Sequence, residues 1–281
     1  MADSDNAPIT YWRADKRFSG LITGFHRFRV TLRPGMTFRD VFFPGDPAIR
    51  FAIENPQPWS LQIGSRRFDM PLASFAGPTN VAGWAEATGS GAVVGIGLRA
   101  VGWARLFGGD LSVHANRVIP LSALDPAADM LREALNAGEH PPAVFERWLD
   151  QRLAEHRPVD PLLPRLEAAF DEAETMRIEA LAELVGMTPR QFAARTRQYF
   201  GFTPKLMLRR RRFLRALSGA LDAPAETAGA SLAEAGYWDR SHFLRDAHLF
   251  LGCSIREFRQ RRGPLHALAM QARAAAFGAA V

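Results

Sequence analysis

Between residues 20 and 98 the apolar positions fall in short runs rich in β-branched and aromatic residues: LITGFHRFRVTL, RDVFF, IRFAIE, WSLQIGSRRF and AVVGIGL. PGDP, ENPQP, GPTN and GSG punctuate these runs, a pattern that predicts strands joined by turns. Several short strands at this spacing predict a sandwich or barrel. From 99 to 157 the period changes. LRAVGWARLFG, LSALDPAADMLREALNAG and PAVFERWLDQRLAEH place apolar residues at helical spacing. HRPVDP (156–161) carries two prolines and reads as a linker, and everything beyond it is helical. The tail after Gly263-Pro264 is Ala-rich and predicts a short helix whose packing the sequence leaves open. The expected architecture is α+β in two domains. Residues 1–157 form a β-barrel or jelly roll followed by helices, and residues 158–281 are all-α.

Within the second half a helix pair occurs twice. LAELVGMTPRQFAARTRQYFGFTPKLMLR (181–209) resembles SLAEAGYWDRSHFLRDAHLFLGCSIREFR (231–259). In each copy a short helix stops at a glycine, Gly186 or Gly236, suited to the left-handed C-cap conformation. Thr188 or Asp239 then caps a second helix, and Pro189 fits a first turn. Phe192, Thr196, Tyr199 and Phe200 share one face at 3.6 residues per turn, as do Phe243, Ala247, Phe250 and Leu251. Those aromatic stripes are read as core. The opposite faces hold Arg190, Ala194 and Arg197 in the first copy, and Ser241, Arg245 and His248, with Arg240 at the helix start, in the second. A helix presented this way can enter the major groove and set Arg and Ser on base edges. PKLMLRRRRFLRALSGAL (204–221) joins the copies as a strut about 27 Å long. Its run Arg209–Arg212 fans round the helix, so at most one or two of the four reach phosphate.

Charge supports this assignment. The net +6 is unevenly placed: residues 177–262 hold 16 basic and 8 acidic residues (+8), and the rest hold 19 and 21 (−2). A positive half beside a near-neutral one points to a polyanion. The polar, acidic N-terminus does not fit a secretory signal, and no apolar run approaches membrane-spanning length, so a cytoplasmic protein without a membrane partner is expected. Cys253 stands alone and is read as an inert small residue. The histidines are scattered without a metal-ligand pattern. His242 beside Ser241 lacks a G-x-S-x-G context. No metal, cofactor or catalytic residue is assigned, and the chain is not expected to be an enzyme. Trp12, Trp59, Trp84 and Trp103 are read as barrel core, with one or two of them available to an effector pocket.

LAELVGMTPRQF, the GFTPK segment, GYWDRSHFLRD and GCSIREFRQRR together resemble the DNA-binding domain of AraC/XylS-type transcription regulators over residues 177–262. The resemblance implies seven helices, two helix-turn-helix units joined by a long helix, sequence-specific binding to a double-stranded promoter or operator, and RNA polymerase as a partner. GPTN (77–80), VVGIGLRAVGWARLFG (93–108) and NRVIPLSAL (116–124) resemble the cupin-like sensing domain that precedes such domains. That implies a barrel or jelly roll, a small-molecule effector and a homodimer through the following helices. The chain departs from the pattern at Ala193 and Ala194, where readers are usual, at Ser231 and Leu232, and at Ile255.

The site expectations follow. Arg190, Arg240, Ser241 and Arg245 read bases; Arg197, Lys205, Arg209 and Arg256 contact the DNA backbone. The competing readings are a cupin-type enzyme built on the first half and a protein-binding adaptor with a degenerate DNA-binding domain.

Overall fold

The computed structural model describes residues 7–54, 58–155, 157–172, 176–222, 236–237 and 239–277. Ser231, Leu232, His156 and Trp238 lie outside the described residues. Among the described residues ten strands form two antiparallel sheets: β1 (Ile9–Trp12), β2 (Ile22–Val30), β3 (Phe38–Phe42), β4 (Ala48–Ile53), β5 (Trp59–Ile63), β6 (Arg66–Asp69), β7 (Ala73–Ala76), β8 (Gly83–Ala87), β9 (Gly91–Leu98) and β10 (Val118–Pro120). The strand order is β1-β2-β9-β4-β7-β10 in the larger sheet and β3-β8-β5-β6 in the smaller.

Alternation along the strands separates two faces of the larger sheet. One transverse row runs Trp12, Phe25, Ile96, Ile49, Phe75, each residue opposite the next. Its last four members are buried in a core with Trp103, Phe145 and Trp148. That core is closed by α1 (Ala100–Leu106), α2 (Ala128–Asn136) and α3 (Pro141–Ala154). Phe25 stacks on Phe145 at 5.6 Å, and the Trp148 indole donates to buried Asp125 at 2.9 Å. The next row is polar: Tyr11, His26, Gly95, Arg50, Ser74. It turns toward the second sheet. Only a small core, including Leu61, Ile63, Met70 and Ala85, fills the space between the sheets.

Beyond the linker come α4 (Leu163–Glu172), α5 (Ile178–Leu184), α6 (Pro189–Phe200), α7 (Pro204–Asp222), α8 (Arg240–Leu251), α9 (Ile255–Arg261) and α10 (Pro264–Phe277). Their cores do not stop at the domain boundary. Leu163, Leu166, Leu181, Phe192 and Tyr199 pack with Ala100 and Ala104 of α1. Phe213, Leu217, Phe243, Phe250 and Phe258 pack with Val41 and Ala82 of the smaller sheet's outer side. Arg261 lies over the Trp84 ring at 4.0 Å.

Two helix caps also cross between the halves. Glu167 on α4 accepts from the Val101 N–H at the start of α1 at 3.2 Å and from Arg99 at 3.4 Å. Burial raises its carboxyl pKa, and these donors oppose the rise. Asp40 on β3, almost wholly buried, accepts from the N–H groups of Gly263 (2.9 Å) and His266 (2.8 Å) at the start of α10. The tail is therefore a docked helix. It bridges β1 and β3, the edge strands of the two sheets, and covers the gap between them. At its far end Arg13 donates to the Ala276 carbonyl at 2.5 Å.

Two outcomes are expected from this arrangement. Replacing Asp40 with Ala removes the cap of α10 and costs about 1–2 kcal/mol. Hydrogen exchange then quickens along residues 264–277 more than elsewhere. The second concerns pH. Burial first, then the nearby Arg50 and Arg273, lower the His26 pKa from 6.5 to about 3, so its ring is neutral. Between those values the unfolded chain binds a proton that the folded chain refuses. His26 thus contributes its full stability above pH 6.5 and loses about 1.4 kcal/mol for each unit the pH falls below that, down to the folded pKa. Unfolding curves from pH 7 to 4.5 should fall less steeply for His26→Gln than for the parent; equal slopes would contradict this.

Candidate nucleic-acid interface

Each helix-turn-helix corner is specified locally. Gly186 and Gly236 have φ of 76° and 78°, values that L side chains rarely adopt, so both positions need glycine; the segment before Gly236 lies outside the described residues. Thr188 and Gln191 form a reciprocal capping box at the start of α6. Asp239 accepts from the His242 N–H at 2.7 Å at the start of α8. Of the stripes predicted as core, Phe192, Thr196 and Tyr199 in α6 and Phe243, Ala247, Phe250 and Leu251 in α8 are buried, and Phe200 is half-buried.

The opposite faces are exposed as expected. Arg190, Ala194 and Arg197 of α6 face solvent, as do Arg240, Ser241, Arg245 and His248 of α8. Lys205 at the start of α7 and Arg256 on α9 are exposed too. Among the described residues no carboxylate pairs with Arg190, Arg197, Lys205, Arg240, Arg245 or Arg256. Arg195, one step from the departure at Ala194, donates to Gln198 at 3.0 Å and lies 3.8 Å from Asp160 of the linker. It is turned toward the linker and away from the reading face.

Arg209 has a partner within the fold. Its guanidinium donates to Asp246 at 2.7 Å and pairs with the same carboxylate at 2.6 Å. Asp246 is fully buried, so the pair belongs to the packing of α7 against α8. The rest of the run is likewise occupied. Arg210 donates to the Thr79 carbonyl at 2.7 Å and lies 3.6 Å from Asp46, both in the first half. Burial lowers its pKa. Arg211 donates to the Phe170 carbonyl of α4. Arg212 lies 4.8 Å from the Tyr237 ring centre and 3.7 Å from Asp246. Tyr237 donates its hydroxyl to Asp246 at 2.6 Å. Its pKa is raised by burial first, then by this bond.

Asp246 is the residue that pattern reading missed. A signal was present: it falls at i+3 from Phe243 on the apolar stripe, where an acidic side chain needs a cation. Cys253 is buried, and burial pushes its thiol pKa up, which fits an inert role. No group of three or more His, Cys, Asp or Glu that could hold a metal occurs among the described residues. No helix there is long and apolar enough to cross a membrane. Of the tryptophans, Trp103 is core, Trp84 lies under Arg261 and Trp59 lines a cavity.

Replacing Asp246 with Ala strands two guanidinium groups and a buried hydroxyl. It is expected to cost about 3–5 kcal/mol, read as a lowered denaturation midpoint, and to abolish DNA binding through unfolding of the second unit. A midpoint unchanged from the parent would contradict the assignment.

Residues 181–261 match a family described as a helix-turn-helix domain. No curated protein matches the chain. Among solved structures, ToxT from Vibrio cholerae is similar at 8% identity over 85% of this chain and 98% of that chain, with a TM-score of 0.47. ToxT from V. cholerae strain SCE256 with a bound unsaturated fatty acid gives 9%, 85%, 96% and 0.45 in the same order. The AraC-like transcriptional activator CuxR gives 12%, 75%, 88% and 0.29. Residues 181–261, which carry both capped helices and their outward basic faces, are thus similar to a helix-turn-helix domain.

Proposed function

We propose that the protein binds a specific double-stranded operator in the cytoplasm through α6 and α8, each lying in a major groove, and passes the signal to RNA polymerase. In this reading Arg240, Ser241 and Arg245 read bases from the second unit and Arg190 reads from the first. Arg197, Lys205 and Arg256 hold phosphates. Residues 1–157 act as the sensing and homodimerising half, and 158–281 as the DNA-binding half.

The observation that carries the reading is a division of labour among arginines. Those on the outer faces of α6 and α8 are exposed and unpaired among the described residues, while the run on α7 is consumed by internal partners. An exposed guanidinium without a carboxylate is free to form the two-pronged bond to guanine O6 and N7. The 19-residue α7, about 28 Å long, is of the length needed to hold two readers near the ~34 Å repeat of successive major-groove faces. First-unit reading rests on fewer side chains than second-unit reading, because Ala193 and Ala194 offer no donors.

Selection of bound duplexes from a random pool should yield one operator with two contacted segments. On that operator Arg245→Ala should relax preference at a single base pair, at a cost of about 1–3 kcal/mol, whereas Lys205→Ala should weaken all sequences alike. The same loss on every duplex for both variants would count against base reading by Arg245.

A further inference from the structure

A cavity of about 780 Å³ opens between the two sheets and runs to α7 and α10. Its size falls within the ~300–1,000 Å³ of small-molecule sites. The polar row of the larger sheet supplies one wall: Tyr11, His26 and Arg50. They stand side by side because their strands are in register, and Gly95, between His26 and Arg50, leaves the space that a side chain would fill. A Cβ at Gly95 would lie 2.5 Å from His26 Nε2. The facing wall is α10, which contributes Met270, Arg273 and Phe277. Phe277 packs edge-on against Tyr11 at 5.8 Å and fills the space over Gly24.

The charge balance of this cavity is unequal. Six arginines line it (Arg50, Arg99, Arg210, Arg211, Arg215 and Arg273) against three carboxylates, Asp40, Asp46 and Glu167. Each carboxylate is already committed. Asp40 caps α10, Asp46 lies beside Arg210, and Glu167 holds Arg99 and the start of α1. Among the described residues no carboxylate contacts Arg50 or Arg273. Arg50 has only the Phe42 ring, 5.7 Å from its guanidinium carbon. Burial lowers its pKa to about 10, so it still carries its charge near neutrality. Both guanidinium groups act on Tyr11 and on His26, which places them around the same two side chains. Arg50 and Arg273 are each half-buried; a partly desolvated cation without a counter-ion is costly, and a bound anion relieves that cost. Phe28, Phe42, Trp59, Leu265 and Met270 make the remaining walls apolar.

We infer that this cavity binds a small organic anion, with its charged head between Arg50 and Arg273 and an aromatic or aliphatic body against the apolar walls. The inference rests on the sensing role proposed above for residues 1–157 and names the class of what is sensed. Because Arg273 and Phe277 belong to α10, the occupant would touch a helix that bridges the edge strands of both sheets. Ligand binding and docking of the C-terminal helix are thus coupled through the same side chains.

The test uses the full chain and two matched fluorescent probes. One is 1-anilinonaphthalene-8-sulfonate; the other is N-phenyl-1-naphthylamine, the same aromatic body without the charge. The sulfonate should bind saturably at one site per chain, and the neutral probe more weakly. Arg50→Gln and Arg273→Gln should each weaken the sulfonate about ten- to hundredfold and leave the neutral probe unchanged. Arg273→Gln lies on a helix surface, so it keeps the test valid if Arg50→Gln fails to fold. Sulfonate binding that is equal in parent and Arg273→Gln, or equal affinity for both probes, overturns the inference. Operator binding measured on the same samples separates the two readings. Charge-independent probe binding with intact operator binding rejects the anion site alone. Charge-dependent probe binding without any operator recognition rejects the DNA-reading proposal and leaves the anion site standing.

Discussion

Four consecutive arginines on one helix are the constraint around which the molecule is organised. Guanidinium groups stay charged, so a partly buried run must be given acceptors in every direction that it points. At 100° per residue those directions differ, and the fold meets each with a different element. Asp246 of α8 takes Arg209, with Arg212 close to the same carboxylate. Carbonyls of the first half take Arg210. The end of α4 takes Arg211. One helix thereby sets the position of α8, of α4, which precedes the first unit, and of residues 45 and 79 in the first half. The basic residues proposed to meet DNA are those that none of these partners pairs with.

The same logic of shared satisfaction runs through the boundary between the halves. Each helix-turn-helix core includes side chains from the first half, and Asp40 and Glu167 each cap a helix on the other side of it. Capping across a boundary is favourable only while the two sides stay together, because a withdrawn cap leaves helix N–H groups open. The cavity lies in this region, lined by the sheets, α7 and α10. A ligand there acts on charges and rings that also hold the halves in contact, which gives a physical route from occupancy to the disposition of α6 and α8.

Much of the second half was legible from the chain. The glycine corners, the caps at Thr188 and Asp239, the aromatic stripes and the exposed faces follow from local rules, and local rules suffice where an element is specified by its own residues. The strands Ile9–Trp12, Ala73–Ala76 and Gly83–Ala87 were not legible. They are short, and the last two are rich in small residues, so pairing with neighbours makes them strands. WSLQIGSRRF reads as one run but folds as a hairpin that turns at Gly64 and Ser65. The partner of Arg209 was hidden because Asp246 lies 37 residues away and reaches it only through packing of α7 on α8. Arg50 stood in plain view within IRFAIE. Its meaning depends on the register of β1, β2, β9 and β4, and no single segment records that.

The most direct measurement of the central claim is tethered cleavage of DNA. Cys253, the single native cysteine, is buried, so an iron-chelate cleavage reagent can be attached to a cysteine introduced at an exposed position. Ala194→Cys marks α6 and His248→Cys marks α8. If both helices lie in successive major grooves, each variant cuts the operator at one place, and the two places lie about one helical turn, ~10 base pairs, apart. Cleavage that is spread evenly along the duplex from both positions, or localised from neither, would contradict the account.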